Sequence, residues 1–344
     1  MSTTALHAPE IAVWTDAAHA ALAAEVLDLM GGYVRPIAVG AADGSGDGQL
    51  AEWERTLETP TYRDLRKLRI DRPAAFLLCL TDVSPTPTDL KELARAGTTV
   101  LLLAPQADGA QTLGELAAPG LADKLVRTPR FDACPGLIAA AEPEGAFEGR
   151  PARVHVTSHG LPAHGSLFAR AFDAWRVALR FAPLPETVDA TLQKPTGKPA
   201  AEHPGEMRGR MSLHARAADG SAVTMQLSDQ SLVSHRRLRV SADHADLQAT
   251  DTHYALHTAD PQKPDAPPTV ETSVDDAGLP ELPSNPSPPF ADLLAHHFRR
   301  VLDRPPLPSS PVADRHALAC VQACQLSART GQPERPDQLL LTGM

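Results

Sequence analysis

The distribution of apolar positions changes character near residue 150. Before it, short continuous apolar runs alternate with amphipathic stretches. Glu10 to Trp14 reads as a first strand, and the alanine-rich stretch 16–30 as a helix that Thr15-Asp16 would cap. "VRPIAVGA" (34–41) is a second strand, and 48–68 is polar and mostly helical, broken near Pro60. "AAFLLCL" (74–80) has the unbroken apolar pattern of a strand buried on both faces. "SPTPTDLKELARAG" (84–97) predicts a capped helix ending on Gly97, "TTVLLLA" (98–104) another strand, and 112–126 a helix. This order predicts a doubly wound parallel sheet of the Rossmann type with right-handed crossovers.

From about 150 the period becomes two. "ARVHVTSHG" (152–160) is a strand, and "SLFARAFDAWRVALRFA" (166–182) a helix with apolar residues at helical spacing. Six strand-like segments follow, at 187–193, 208–217, 222–228, 235–242, 245–251 and 253–259. "AADG" before Ser221 is a tight-turn signal between two of them. The pattern predicts an α+β domain on a large, mostly antiparallel open sheet, with polar residues alternating on one face. Residues 260–289, rich in proline and acid, read as a flexible surface excursion, with helices at 290–302 and 312–331. The expected division is 1–127 for the Rossmann-like domain and 128–344 for the second.

Composition narrows the classes. With 344 residues, 42% hydrophobic and 22% charged, the chain can bury two cores. Its net charge of −10 argues against nucleic acid as a partner. "HRRLR" (235–239) alternates like an exposed strand and forms no basic cluster. No apolar run reaches about 18 residues, so no membrane span is expected. Cys79, Cys134, Cys320 and Cys324 have no metal-ligand or disulfide spacing and read as buried thiols. With no secretory pattern at the start, this points to a reducing cytoplasm.

Few motifs carry chemistry. The first strand–turn–helix, at Thr15, Asp16 and Ala17, stands where many enzymes hold a nucleotide phosphate, but there is no glycine until Gly31. Such turns use glycine so that the backbone can approach the phosphate. His155 and His159 share a strand face, with His164 in a nearby loop, but no third ligand of fixed geometry is evident and no metal site is predicted. His296 and His297 are adjacent on a helix and point about 100° apart. There is neither a G-x-S-x-G elbow nor a P-loop, and "GSGDG" (44–48) reads as a loop.

The order of elements resembles the Gfo/Idh/MocA family of NAD(P)-dependent oxidoreductases over nearly the full length. "RPAAFLLCLTDVSP" matches the family's third nucleotide-side strand, and "LKELARAGTTVLLLAP" the approach to its Glu-Lys-Pro motif. "RTPRFDACPGLIAAAEPEGAFEGRPARVHV" matches the segment joining its domains. "DRHALACVQACQLSARTGQ", with Ser327 and Gly331, matches its closing helix. The resemblance implies NAD or NADP, a sugar or polyol substrate, and oligomerisation through the sheet.

The residues at the family's working positions differ. The glycine-rich turn falls on Thr15, Ala17 and about Ala20, with Asp16 adding a negative charge. The ribose-binding acid falls near Ala41, with Asp43 the nearest carboxylate. Glu-Lys-Pro reads Leu103-Ala104-Pro105, and the alanine offers neither charge nor donor. The catalytic histidine position carries Asp173, flanked by Ala169 and Arg176. An aspartate would serve as the base only if burial raised its pKa strongly. An exposed ion pair between Asp173 and Arg176, one helical turn apart, is the simpler expectation.

The leading expectation is therefore an oxidoreductase-like protein that has lost hydride transfer, binds no cofactor, and serves as a binding, scaffold or regulatory subunit. It would form a homo-oligomer through the sheet, or pair with an active paralogue. The alternatives are an active NAD(P)-dependent enzyme with a rearranged site, or a cofactor-free lyase or hydrolase using the substrate groove. An open sheet whose apolar face needs covering makes an oligomer expected in each case.

Overall fold

The computed structural model describes residues 8–41, 51, 53–55, 58–82, 84–107, 109–141, 143–196, 201–260, 268–272, 289–303 and 310–342. The chain divides into two compact units. The first comprises Met1–Ala107, Glu115–Thr128 and Ala291–Pro308; the second Asp108–Gly114, Pro129–Phe290 and Ser309–Met344. The segment Ala291–Pro308 groups with the first unit.

The first unit holds a six-stranded sheet: β1 (Glu10–Thr15), β2 (Arg35–Ala41), β3 (Thr61–Tyr62), β4 (Phe76–Leu80), β5 (Thr99–Leu102) and β6 (Leu125–Arg127). Its order is β3-β2-β1-β4-β5-β6, and every pair is parallel. Leu77 to Leu80 are fully buried, as the continuous apolar run predicts. The helices are α1 (Ala20–Leu29), α2 (Leu65–Asp71), α3 (Pro87–Arg95) and α4 (Ala110–Leu116). Thr86 caps α3 by accepting the Asp89 N–H, with Pro87 in the first turn. Two expectations are corrected. Residues 48–68 contain the short strand β3. The first helix begins at Ala20, because Asp16 to His19 form a separate turn.

The chain runs outward from β1 through β2 to β3, then returns to β4 on the other side of β1. Strands β1 and β4 therefore flank the point where winding reverses, and open α/β sheets bind ligands beyond the strand ends there.

The second unit contains α5 (Pro135–Ala139), β7 (Arg153–His159), α6 (Leu167–Ala178), β8 (Thr187–Gln193), β9 (Arg210–Arg216), β10 (Ala222–Ser228), β11 (His235–Ala242), β12 (Ala245–Thr250), β13 (Tyr254–Thr258) and β14 (Thr269–Thr272). Helix α7 (Phe290–Asp303) lies almost wholly in the first unit; α8 (Pro311–Thr330) and α9 (Pro336–Thr342) belong to the second. The eight strands run β14-β13-β12-β11-β7-β10-β9-β8, antiparallel except for β7 with β10. Strand β14 lies inside the proline-rich stretch expected to be a flexible excursion; its remaining residues 261–267 and 273–288 lie outside the described ones.

Alternation sorts the sheet into two faces. Val154, Val156, Leu213, Met225 and Leu227 are buried on the face covered by α6 and α8. Trp175 of α6 is fully buried, and its indole N–H donates to Cys324 Sγ of α8 at 3.4 Å. The Ala190 N–H donates to Ser327 Oγ at 2.9 Å, tying α8 to β8, and α8 ends on Gly331, whose φ of 69° suits glycine. The opposite face carries Arg153, His155, Thr157, His159, Arg210, Ser212, Gln226, Arg237 and Arg239, all exposed or half-buried. The unit's own helices cover the apolar face of the sheet, and the other face is polar.

Gly136 of α5 packs against backbone. A Cβ there would stand 2.3 Å from the Thr250 carbonyl oxygen and 2.7 Å from that of His253. Gly136→Ala is expected to destabilise the protein by about 1–3 kcal/mol, measured by chemical denaturation. Among the described residues, no helix is long and apolar enough to cross a membrane.

Candidate functional site

The turn after β1 lies at the winding reversal of the first unit. Thr15 Oγ1 donates to the Leu80 carbonyl at 3.0 Å, joining the ends of β1 and β4. Asp16 then closes the turn that precedes α1 with its own carboxylate. Oδ1 accepts the N–H groups of Ala18 and His19, both at 3.0 Å, and Oδ2 accepts that of Asp82 at 3.1 Å. The ring Nδ1 of His19, which is fully buried, donates to Oδ1 at 2.6 Å. His19 Nε2 lies 3.8 Å from Asp82 Oδ1. Burial would raise the Asp16 carboxyl pKa, but the His19 ring and the backbone N–H groups of Asp82 and His19 outweigh it and hold it below the usual value. Asp16 is therefore ionised at neutral pH. Ala17 is exposed.

Leu103, Ala104 and Pro105 follow β5 and are buried. They bring no charged group to the sheet end. Asp43 lies outside the described residues.

Asp173 sits in the second unit, on α6, and is buried. Both its oxygens accept the Phe131 N–H, at 3.1 and 2.9 Å. Arg236 Nη1 donates to Asp173 Oδ2 at 3.0 Å and to the Pro129 carbonyl at 3.0 Å. The same guanidinium donates through Nε to Asp251 Oδ1 at 2.7 Å and lies over the Phe131 ring, 5.0 Å from its centroid. The exposed Asp173–Arg176 pair is thus corrected. Both residues are buried, and Arg176 pairs with Asp132 at 3.0 Å and with Asp314. Burial pushes the Asp251 carboxyl upward, with Arg236 opposing it; Arg236 is held above its ordinary value by Asp251 and Asp173 against its own burial.

These partners left different traces in the sequence. Arg236 stands at the apolar parity of β11, beside Leu238 and Val240, and an arginine there demands a carboxylate. Nothing local marked Asp251 as that carboxylate. His19 looked like one more residue of an alanine-rich helix.

No protein-family model matches the chain, and no curated protein matches it in sequence. Solved structures do match in fold. An oxidoreductase from Agrobacterium radiobacter, in complex with NAD+, L-tartaric acid and magnesium, is 13% identical, with a TM-score of 0.65 over 96% of this chain and 99% of that one. Levoglucosan dehydrogenase in complex with NADH and L-sorbose is 14% identical, with a TM-score of 0.65 over 95% and 99%. GenD2 from gentamicin A biosynthesis, in complex with NAD, is 14% identical, with a TM-score of 0.65 over 97% and 98%. The chain has the fold of the Gfo/Idh/MocA-type oxidoreductases.

In a Gfo/Idh/MocA-type fold a dinucleotide would place its pyrophosphate against the N–H groups that open α1. Here the turn just before α1 is filled by Asp16, which accepts the N–H groups of Ala18, His19 and Asp82 and brings its own negative charge. The turn as arranged does not fit a pyrophosphate.

The remaining candidates have ordinary partners. His155 Nδ1 lies 2.8 Å from Thr224 Oγ1, and His164 stacks on Phe290 with centroids 4.5 Å apart. Burial pushes His296 down to about 4. All four cysteines are buried and free, and burial raises each thiol, Cys79 and Cys324 to about 12. Among the described residues, no group of three His, Cys, Asp or Glu side chains could hold a metal ion.

Proposed function

We propose that this protein keeps the oxidoreductase fold for binding rather than for hydride transfer, acting as a ligand-binding or regulatory subunit, alone or beside an active paralogue. The observation that carries this reading is the Asp16 carboxylate on the N–H groups of Ala18, His19 and Asp82. Two others support it. Ala104 stands where the fold's enzymes would carry a lysine, and the Asp173 carboxylate is held by Arg236 and the Phe131 N–H.

Titration of the full chain with NADH and NADPH, followed by calorimetry, tests the reading. No saturable binding is expected up to about 1 mM, a binding free energy of about 4 kcal/mol. Binding in the micromolar range, about 8 kcal/mol, overturns it.

A second reading is an active NAD(P)-dependent oxidoreductase on a sugar or polyol. Its support is the likeness over 95% or more of the chain to structures solved with NAD or NADH. It requires Asp16 to leave the three N–H groups when the nucleotide arrives, and it predicts micromolar binding in the same titration.

A further inference from the structure

The polar face of the second unit's sheet contains a cavity of about 380 Å³. Small-molecule sites commonly measure about 300–1,000 Å³. Strand register decides which side chains meet there. Arg210 of β9 lies opposite Ser228 of β10, and Ser228 opposite His159 of β7. In the next row, Ser212 of β9 lies opposite Gln226 of β10. Neighbours in such a row have Cβ atoms about 5 Å apart, so their side chains converge on a common space. All five line the cavity, and Ser231 completes its rim.

Among the described residues, no carboxylate pairs with the arginine of this wall. Elsewhere on the same face Arg239 pairs with Asp246 at 2.7 Å. Among the described residues, no carboxylate lies within salt-bridge distance of Arg210. Asp229, adjacent to the row, is fully buried and already committed. It accepts the N–H groups of Gly209 at 2.8 Å and Leu167 at 3.3 Å, and the Gln230 side-chain amide at 2.8 Å. The His159 ring is held below its ordinary pKa by burial first, then by the nearby His235, Arg170 and Arg210. A cation with no carboxylate partner among the described residues, a neighbouring imidazole and a row of neutral hydroxyl and amide groups make a site for an anion that also carries hydroxyls.

We propose that this cavity binds a small polyhydroxylated oxyanion, a sugar carboxylate or a sugar phosphate. The Arg210 guanidinium takes the oxyanion, in the forked geometry that suits both groups. His159 donates beside it, and Ser212 and Gln226 take the hydroxyls. None of these residues belongs to the turn after β1, so the proposal stands apart from the cofactor reading.

The test is calorimetric titration of the full chain at low salt with gluconate, glucose 6-phosphate and the neutral polyol glucitol. At least one anion is expected to bind saturably with a Kd below about 1 mM, and glucitol at least about tenfold more weakly. The preferred anion identifies the carboxylate or the phosphate as the natural group. Arg210→Gln is expected to weaken that anion about tenfold or more with an unchanged melting curve. Arg153→Gln, on the same face but outside the cavity, is expected to leave it unchanged. His159→Gln, expected to weaken binding as well, gives a second variant if Arg210→Gln fails to fold. No saturable anion binding, equal binding of glucitol, or equal losses from Arg210→Gln and Arg153→Gln overturns the proposal.

Discussion

Replacing Arg236 by methionine is expected to cost about 3–5 kcal/mol of folding stability at pH 8. The guanidinium lies between two buried carboxylates, Asp173 and Asp251, and also donates to the Pro129 carbonyl. Methionine fills part of the volume but leaves both carboxylates buried without a cation. Removing one member of such a group costs more than the group contributes, because the charges left behind keep their full desolvation penalty. The pH dependence separates this cause from lost packing. Burial already raises the Asp251 carboxyl, and without Arg236 the cation opposing that rise is gone, so the folded variant binds more protons than the unfolded chain. Its stability then rises as pH falls, and the deficit against the parent is expected to be smaller at pH 5 than at pH 8. Urea denaturation of both proteins at the two pH values checks this. A loss below about 1 kcal/mol, or one equal at both pH values, contradicts it.

The buried network also marks where sequence reading stops. The parallel sheet was legible because strands buried on both faces leave continuous apolar runs, as at Leu77 to Leu80. The second sheet was legible from alternation, and the hairpin at Ala217 to Ser221 from its turn residues. Asp173 was legible as a carboxylate on a helix, but its partner was not. Periodicity pairs it with Arg176 one turn away, whereas tertiary packing brings in Arg236 from a strand 63 residues later. The glycine-free turn was legible as a departure from the family pattern. The reading of Thr15-Asp16 as the cap of the first helix is corrected: α1 starts only at Ala20, and the Asp16 carboxylate instead closes the separate turn before it, a partner set that depends on Asp82 from a distant loop. The same limit applies to Arg210 and His159, whose meeting depends on the register of three strands.

Asp16→Gly is expected to open the turn after β1 and make NADH binding measurable, at least about tenfold tighter than in the parent. Two effects act together. The substitution frees the N–H groups of Ala18, His19 and Asp82, and it removes a negative charge that would face the phosphates. Protonation cannot substitute for the mutation near neutral pH, since the Asp16 carboxyl is held below its usual value. Losing the Asp16 hydrogen bonds costs about 1–3 kcal/mol of stability, too little to unfold an ordinary domain. Asp16→Asn separates the two effects, because its amide oxygen can still accept the same N–H groups without the charge. If occupancy dominates, Asn leaves NADH binding weak and only Gly restores it. If repulsion dominates, both variants bind. Should a folded Asp16→Gly protein still ignore NADH at about 1 mM, Asp16 is not what excludes the nucleotide, and the Cβ of Ala17 becomes the next obstacle to remove.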